Sequence, residues 1–121
     1  MSIILENELG KIRFSEAVIQ SVAGGATVEC YGVVGMASKQ LVKDGLAELL
    51  GRDNYQRGII VRNEEGTIHI DLYVIVSYGV KISEIVTSIQ NRVKYEVENK
   101  LNFQLGSVNV FIQDVRVTDN V

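Results

Sequence analysis

From Thr67 to Tyr78 the chain reads TIHIDLYVIVSY, an unbroken alternation with a period of two. Ile68, Ile70, Leu72, Val74 and Val76 fall on one side of an extended chain, and His69, Asp71, Tyr73, Ile75 and Ser77 on the other. A strand with one aliphatic and one mixed face fits a sheet covered by helices on one side only. After Gly79 the period lengthens to that of a helix. Ile82, Ile85, Val86, Ile89, Val93, Val97 and Leu101 form a single apolar stripe, each side chain worth roughly 1.5 to 3 kcal/mol if buried. Lys100 suits the negative end of that helix, and Asn102 the left-handed residue that closes it.

The same reading orders the rest of the chain. Ser2 to Glu6 is either a short edge strand or a loose arm, and Gly10 to Phe14 is a strand. Ser15 is placed to cap a helix, with Glu16 in its first turn, Phe14 and Ile19 as a staple, and Val18, Ile19, Val22, Ala23 and Ala26 as its apolar stripe. Gly24 and Gly25 fall inside it, marking either close packing on the sheet or a bend. Gly32 to Ala37 suits a brief strand or a tight connection. Lys39 to Leu50 suggests a short amphipathic helix through Leu41, Val42, Leu46, Leu49 and Leu50, weakened at Gly45 and stopped near Gly51. A polar loop, Arg52 to Arg57, leads to an antiparallel hairpin of Gly58 to Arg62 and Thr67 to Ser77, with the turn in Asn63-Glu64-Glu65-Gly66. Ser107 to Val117 is the last strand. Its apolar phase passes from Val108, Val110 and Ile112 to Val115 and Val117, which calls for a bulge near Gln113 and Asp114. The sum is an α+β fold: two layers, a mixed or antiparallel sheet of about four strands, and helices on one face. It is expected to form a single domain over 1–121, with 1–7 and 118–121 as loose ends.

Composition narrows the function. The 121 residues carry 12 basic and 15 acidic groups, a net charge of -3, interspersed along the chain. A nonspecific nucleic-acid binder needs a concentrated basic footprint, so that class is disfavoured. The single cysteine, Cys30, rules out an internal disulfide, fits a reducing compartment and reads as a small buried hydrophobe. The N-terminus shows no signal-peptide pattern and no apolar run approaches the roughly eighteen residues of a membrane span, so a cytoplasmic location is expected.

Little in the sequence points to catalysis. His69, Asp71 and Tyr73 share one strand face at i, i+2 spacing, a row that in principle does acid/base work. No nucleophile elbow, glycine-rich loop or second histidine accompanies it, and it reads as a solvated face. With one histidine and one cysteine well apart, no metal or cofactor site is assigned. Gly32-Val33-Val34-Gly35 matches the GxxG loop of KH domains, and a KH-like RNA-binding module is therefore the alternative function. The more informative feature is the sheet side away from the helices. There Tyr73 and Ile75, joined by Phe111 and Ile60, are expected to form an apolar interaction surface.

Several stretches taken together resemble the alkaline shock protein family of bacterial envelope stress response proteins. They are GKIRFS with Val18 and Ile19, YGVVGM, DLYVIVSYGVKISEI, VKYEV and SVNVFIQDVRV, spanning Glu8 to Val117. Among its members the chain looks most like the short, tail-less ones, departing at Gly25 and Asp114. The resemblance implies a small cytoplasmic, non-enzymatic module that self-associates. In some members of that family an anchored partner brings the module to the inner face of the membrane, and the resemblance extends that expectation to this chain. No catalytic residues carry over. Gly10, Ile12, Gly32, Gly35, Asp71, Tyr78 and Gly79 match the family's motifs and read first as turn and packing positions, with Asp71 and Tyr78 as candidates for a binding role.

Overall fold

The computed structural model describes residues 2–39 and 49–117. Six strands and two α-helices follow one another as β1 (Ser2–Asn7), β2 (Gly10–Ser15), α1 (Glu16–Val28), β3 (Val33–Met36), β4 (Ile59–Glu64), β5 (Thr67–Ser77), α2 (Ile82–Leu101) and β6 (Leu105–Arg116). A 3-10 segment over Arg52–Gly58 occupies the expected polar loop. Most of the short helix expected over Lys39 to Leu50 lies outside the described residues. At its far end Leu49 bridges to Ala37, and Leu50 is buried.

β5 is the centre of the main sheet. On one edge it pairs antiparallel with β4 (Ile59↔Leu72 to Glu64↔Thr67) and, further along, with β3 (Val33↔Val76 to Met36↔Val74). β6 fills the other edge in parallel. That pairing requires a crossover, and α2 supplies it. The β4–β5 hairpin closes through Glu65 and Gly66, both at positive φ (54° and 86°), the mirror-image turn that matches strand twist. In β6 the register slips between Val74↔Ile112 and Ile75↔Asp114, so Gln113 is the extra residue of the bulge the sequence calls for.

Both helices lie on the aliphatic side, α1 over β3 and β4, α2 over β6. Ile68, Ile70, Leu72, Val74 and Val76 join Ile19, Ala23, Ile85, Ile89, Val93 and Val97 in one core. Ser15 Oγ caps α1 by accepting the Val18 N–H at 3.3 Å, and Asn102 closes α2 at φ 59°. α1 runs through its glycine pair as one helix. At Gly24 a Cβ would stand 3.1 Å from Ile59 Cδ1, so the helix sits close on the sheet there, whereas Gly25 faces open space.

Some expectations change. Of the two readings of Ser2 to Glu6, the strand is the one seen: β1 pairs along its length with β2, as a separate two-stranded sheet, and Ile3 is buried. The helix stripes are narrower than the sequence suggests, since Val18 and Ile82 sit at outer margins and are exposed. Val115 follows the expected phase, opposite Val76, yet is exposed together with Val117, because both lie where β6 runs out at the end of the sheet.

Ile89 is fully buried. Ile89→Asp places an unpaired carboxylate in the core and should cost about 3 kcal/mol or more in urea unfolding. Gly25→Ala should instead stabilise by about 0.5–1 kcal/mol, because the position is helical and open. A loss on Gly25→Ala would mean that the site is packed in solution.

Candidate functional site

Cross-strand partners share a side of the sheet, so the pairings of β5 define the face that carries no helix among the described residues. Arg62 stands opposite His69, which stands opposite Ser107; Ile60 and Asn109 flank Asp71; Tyr73 faces Phe111. These side chains form two adjoining patches.

The first is a closed polar ring. Arg62 grips Asp71 with both arms of its fork, Nε to Oδ2 at 2.9 Å and a terminal nitrogen to Oδ1 at 3.1 Å, and donates to Glu64 at 2.6 Å. The Asn109 amide donates to Asp71 Oδ1 at 2.9 Å and to Ser107 Oγ at 3.2 Å. His69 closes the circuit, with Nδ1 2.7 Å from Ser107 Oγ and Nε2 3.5 Å from Glu64 Oε1. Burial by itself would raise the Asp71 carboxyl. The hydrogen bonds from Arg62 and Asn109, with the positive charges of Arg62 and Lys39, outweigh it and hold the group below its ordinary value. A planar guanidinium fork suits this two-point grip, and together with Asn109 it takes up both carboxylate oxygens of Asp71.

The second patch is aromatic. The rings of Tyr73 and Phe111 stack with centroids 4.7 Å apart and 14° between planes. Phe111 is 42% exposed and Tyr73 half-buried. Burial, with the negative charge of Asp71 next, raises the Tyr73 phenol, which stays neutral.

Of the residues expected on this face, Ile60, Tyr73 and Phe111 are at least partly accessible. Ile75 is not: it is fully buried beneath Val34 and Ala37. After β3 the chain leaves the ladder, and the bulge residue Gln113 holds it by donating to the Ser38 and Lys39 carbonyls, both at 3.1 Å. Ile75 therefore belongs to a small satellite core. Among the motif positions, Gly10, Gly32 and Gly79 adopt positive φ, and a Cβ at Gly32 would collide with Ile85. Gly35 is buried in β3, and Ile12 is exposed on β2. Tyr78 is exposed beyond the end of the β5 ladder and takes no part in the ring, whereas Asp71 is its hub.

The Gly32–Gly35 segment is not a loop. Val33 and Gly35 pair with β5, and Gly32 O accepts from Ser77 N, so this backbone is committed to the sheet. In the row His69, Asp71, Tyr73 the Asp71 carboxylate is engaged by Arg62 and Asn109. A cavity of about 390 Å³ lies away from it, at the start of α2, lined by Tyr31, Val80, Lys81 and Ser88 among others. Among the described residues no cluster of His, Cys, Asp and Glu could hold a metal, and no helix is long and apolar enough to cross a membrane.

Arg62, Glu64, Ser107 and Asn109 were not singled out in the sequence. The two-residue turn fixes Arg62 opposite His69, so counting back from Gly66 would have found it. Ser107 and Asn109 depend on the parallel register of β6, which no local signal fixes.

These features define a two-layer α+β module whose sheet, among the described residues, carries no helix on one face, with an aromatic pair beside a satisfied polar ring. The chain belongs to the ASP23 family, whose function is cell envelope-related; the family model matches residues 4–117. It is 53% identical over 119 residues to the uncharacterized protein YloU of Bacillus subtilis (strain 168), covering 98% of this chain and 99% of that one. It is 42% identical over 117 residues to the uncharacterized protein Spy1614 of Streptococcus pyogenes serotype M6, covering 97% of each. YqhY of B. subtilis, also uncharacterized, is 28% identical over 111 residues, 92% of this chain and 81% of that one. No solved structure gives a significant match.

The depressed Asp71 carboxyl carries a pH signature. Its ionised form favours the fold, so its contribution is complete at neutral pH and fades as pH falls through the ordinary carboxylate value of about 4 toward the lower folded value. Asp71→Asn should be less stable than the parent at pH 7, and the gap should close below about pH 4. A gap that stays constant to pH 3 would show that the ring contributes nothing through this charge.

Proposed function

We propose that this chain is a non-enzymatic interaction module of the cell envelope, self-associating and held at the inner face of the membrane by a membrane-anchored protein. Its bare sheet face is the recognition surface for that protein. The observation that carries the reading is the anatomy of the face: a partly exposed aromatic pair bordered by polar groups already satisfied among themselves. That is how protein interfaces are built, with an apolar, aromatic centre and a polar rim. Arg62, Lys39 and Arg116 are offset by Glu64, Asp71 and Asp114, so the face lacks the single sign of charge that a phosphate backbone or an anionic lipid surface would select. The family's envelope-related role supports the location.

The test is partition of the purified chain between solution and three surfaces: native membranes, protease-stripped membranes and protein-free vesicles. Binding is expected to native membranes alone. Ile60→Lys combined with Tyr73→Lys should reduce it at least about tenfold while leaving the melting transition in place. Binding to protein-free vesicles, or unchanged binding of the folded double variant, would overturn the reading.

A further inference from the structure

Among the described residues β6 pairs with β5 and with no other strand, and one long edge of the sheet is open. The Tyr78 N–H bonds to the Arg116 carbonyl at 2.8 Å. In a parallel ladder backbone direction alternates, and with the slip at Gln113 this bond fixes the rest of the strand. Asn109, Phe111, Asp114 and Arg116 turn their backbone groups toward β5. Val108, Val110, Ile112 and Val115 turn theirs to the open edge.

Side chains guard parts of that edge. Gln90 Nε2 donates to the Val108 carbonyl at 3.0 Å, and Asp114 Oδ1 accepts the Val115 N–H at 2.8 Å. At the start of the strand Glu98 Oε2 accepts the Leu105 N–H at 2.8 Å. No side-chain hydrogen bond among the described residues covers Val110 or Ile112, and β6 carries neither the proline nor the lysine that usually protects an edge.

We infer that this uncapped window pairs with the same window of a second copy of the chain, antiparallel about a two-fold axis at Phe111. The inference rests on the self-associating part of the proposed function and adds the surface and its symmetry. The pattern is its own complement: one outward residue stands on either side of Phe111. Turned about that point, Val110 N–H and C=O meet the C=O and N–H of Ile112 in the second copy, and the reverse pair forms equally. The caps at Val108 and Val115 and the bulge at Gln113 bound the ladder symmetrically, whereas a foreign strand would have to match those stops by accident. Phe111, partly exposed, meets its own counterpart and extends the stack with Tyr73 across the axis.

The experiment is residue-resolved amide exchange across a protein concentration series, with sedimentation equilibrium on the same samples. A concentration-dependent dimer is expected, with protection at the Val110 and Ile112 amides rising about tenfold or more as it forms. Ile112→Pro removes an N–H that faces the edge and leaves the β5 ladder donors in place, so it should yield a folded monomer that still partitions to native membranes. As a second variant, Phe111→Cys in a Cys30→Ala background should cross-link to a dimer under mild oxidation, and Ser107→Cys should not. Equal exchange at both amides across the series, a monomer at every concentration, or a folded Ile112→Pro that dimerises like the parent would each overturn the inference. Loss of membrane partition by Ile60→Lys and Tyr73→Lys with the dimer intact, or the reverse in Ile112→Pro, separates the two surfaces.

Discussion

A strand that is hydrogen-bonded along both edges cannot slide without breaking two ladders at once, and β5 is held in that way. β4 and β3 lie end to end on one side of it and β6 lies on the other. A slip of one residue would turn Ile70, Leu72 and Val74 to the outside and bring His69, Asp71 and Tyr73 beneath the helices. The cost of burying that row unpaired, added to the loss of the aliphatic core, is what makes the register singular. Everything on the outer face inherits its position from this constraint.

One consequence is that the polar ring needs no pocket to be rigid. Its members come from three adjacent strands, and each is aimed by its register position rather than by a loop. Arg62 arrives through a two-residue turn and Asn109 through a 27-residue crossover, yet both meet on Asp71. A similar economy appears at Gln113. The residue that restores the β6 register also reaches over the sheet to hold the chain leaving β3, closing a small lid over Ile75.

The parts of the fold that were legible in the sequence depend on period and local chemistry. β5, α2, the Ser15 cap, the Asn102 closure and the bulge in β6 all follow from side-chain spacing over a few residues. What was not legible depends on distant pairing. Nothing near Ile3 announces that β1 folds back on β2 as a separate sheet. Ile75 alternates to the outside as its neighbours do, and only the path of the chain after Met36 makes it core. The ring was half visible: His69 and Asp71 stood out as a row, while Ser107 and Asn109 looked like ordinary polar positions in an exposed strand. The family resemblance rested on the same strand and helix motifs, which is why it agreed with the family match without locating the ring.

Solvent paramagnetic relaxation on the side chains of β5 and β6, recorded in dilute solution, addresses the two-faced sheet most directly. The ring protons of Phe111 should respond strongly, while the methyls of Ile70, Leu72 and Val74 stay silent, together with those of Ile75. Phe111 as shielded as Leu72 in the dilute chain would contradict a bare outer face, and with it the assignment of that face to recognition.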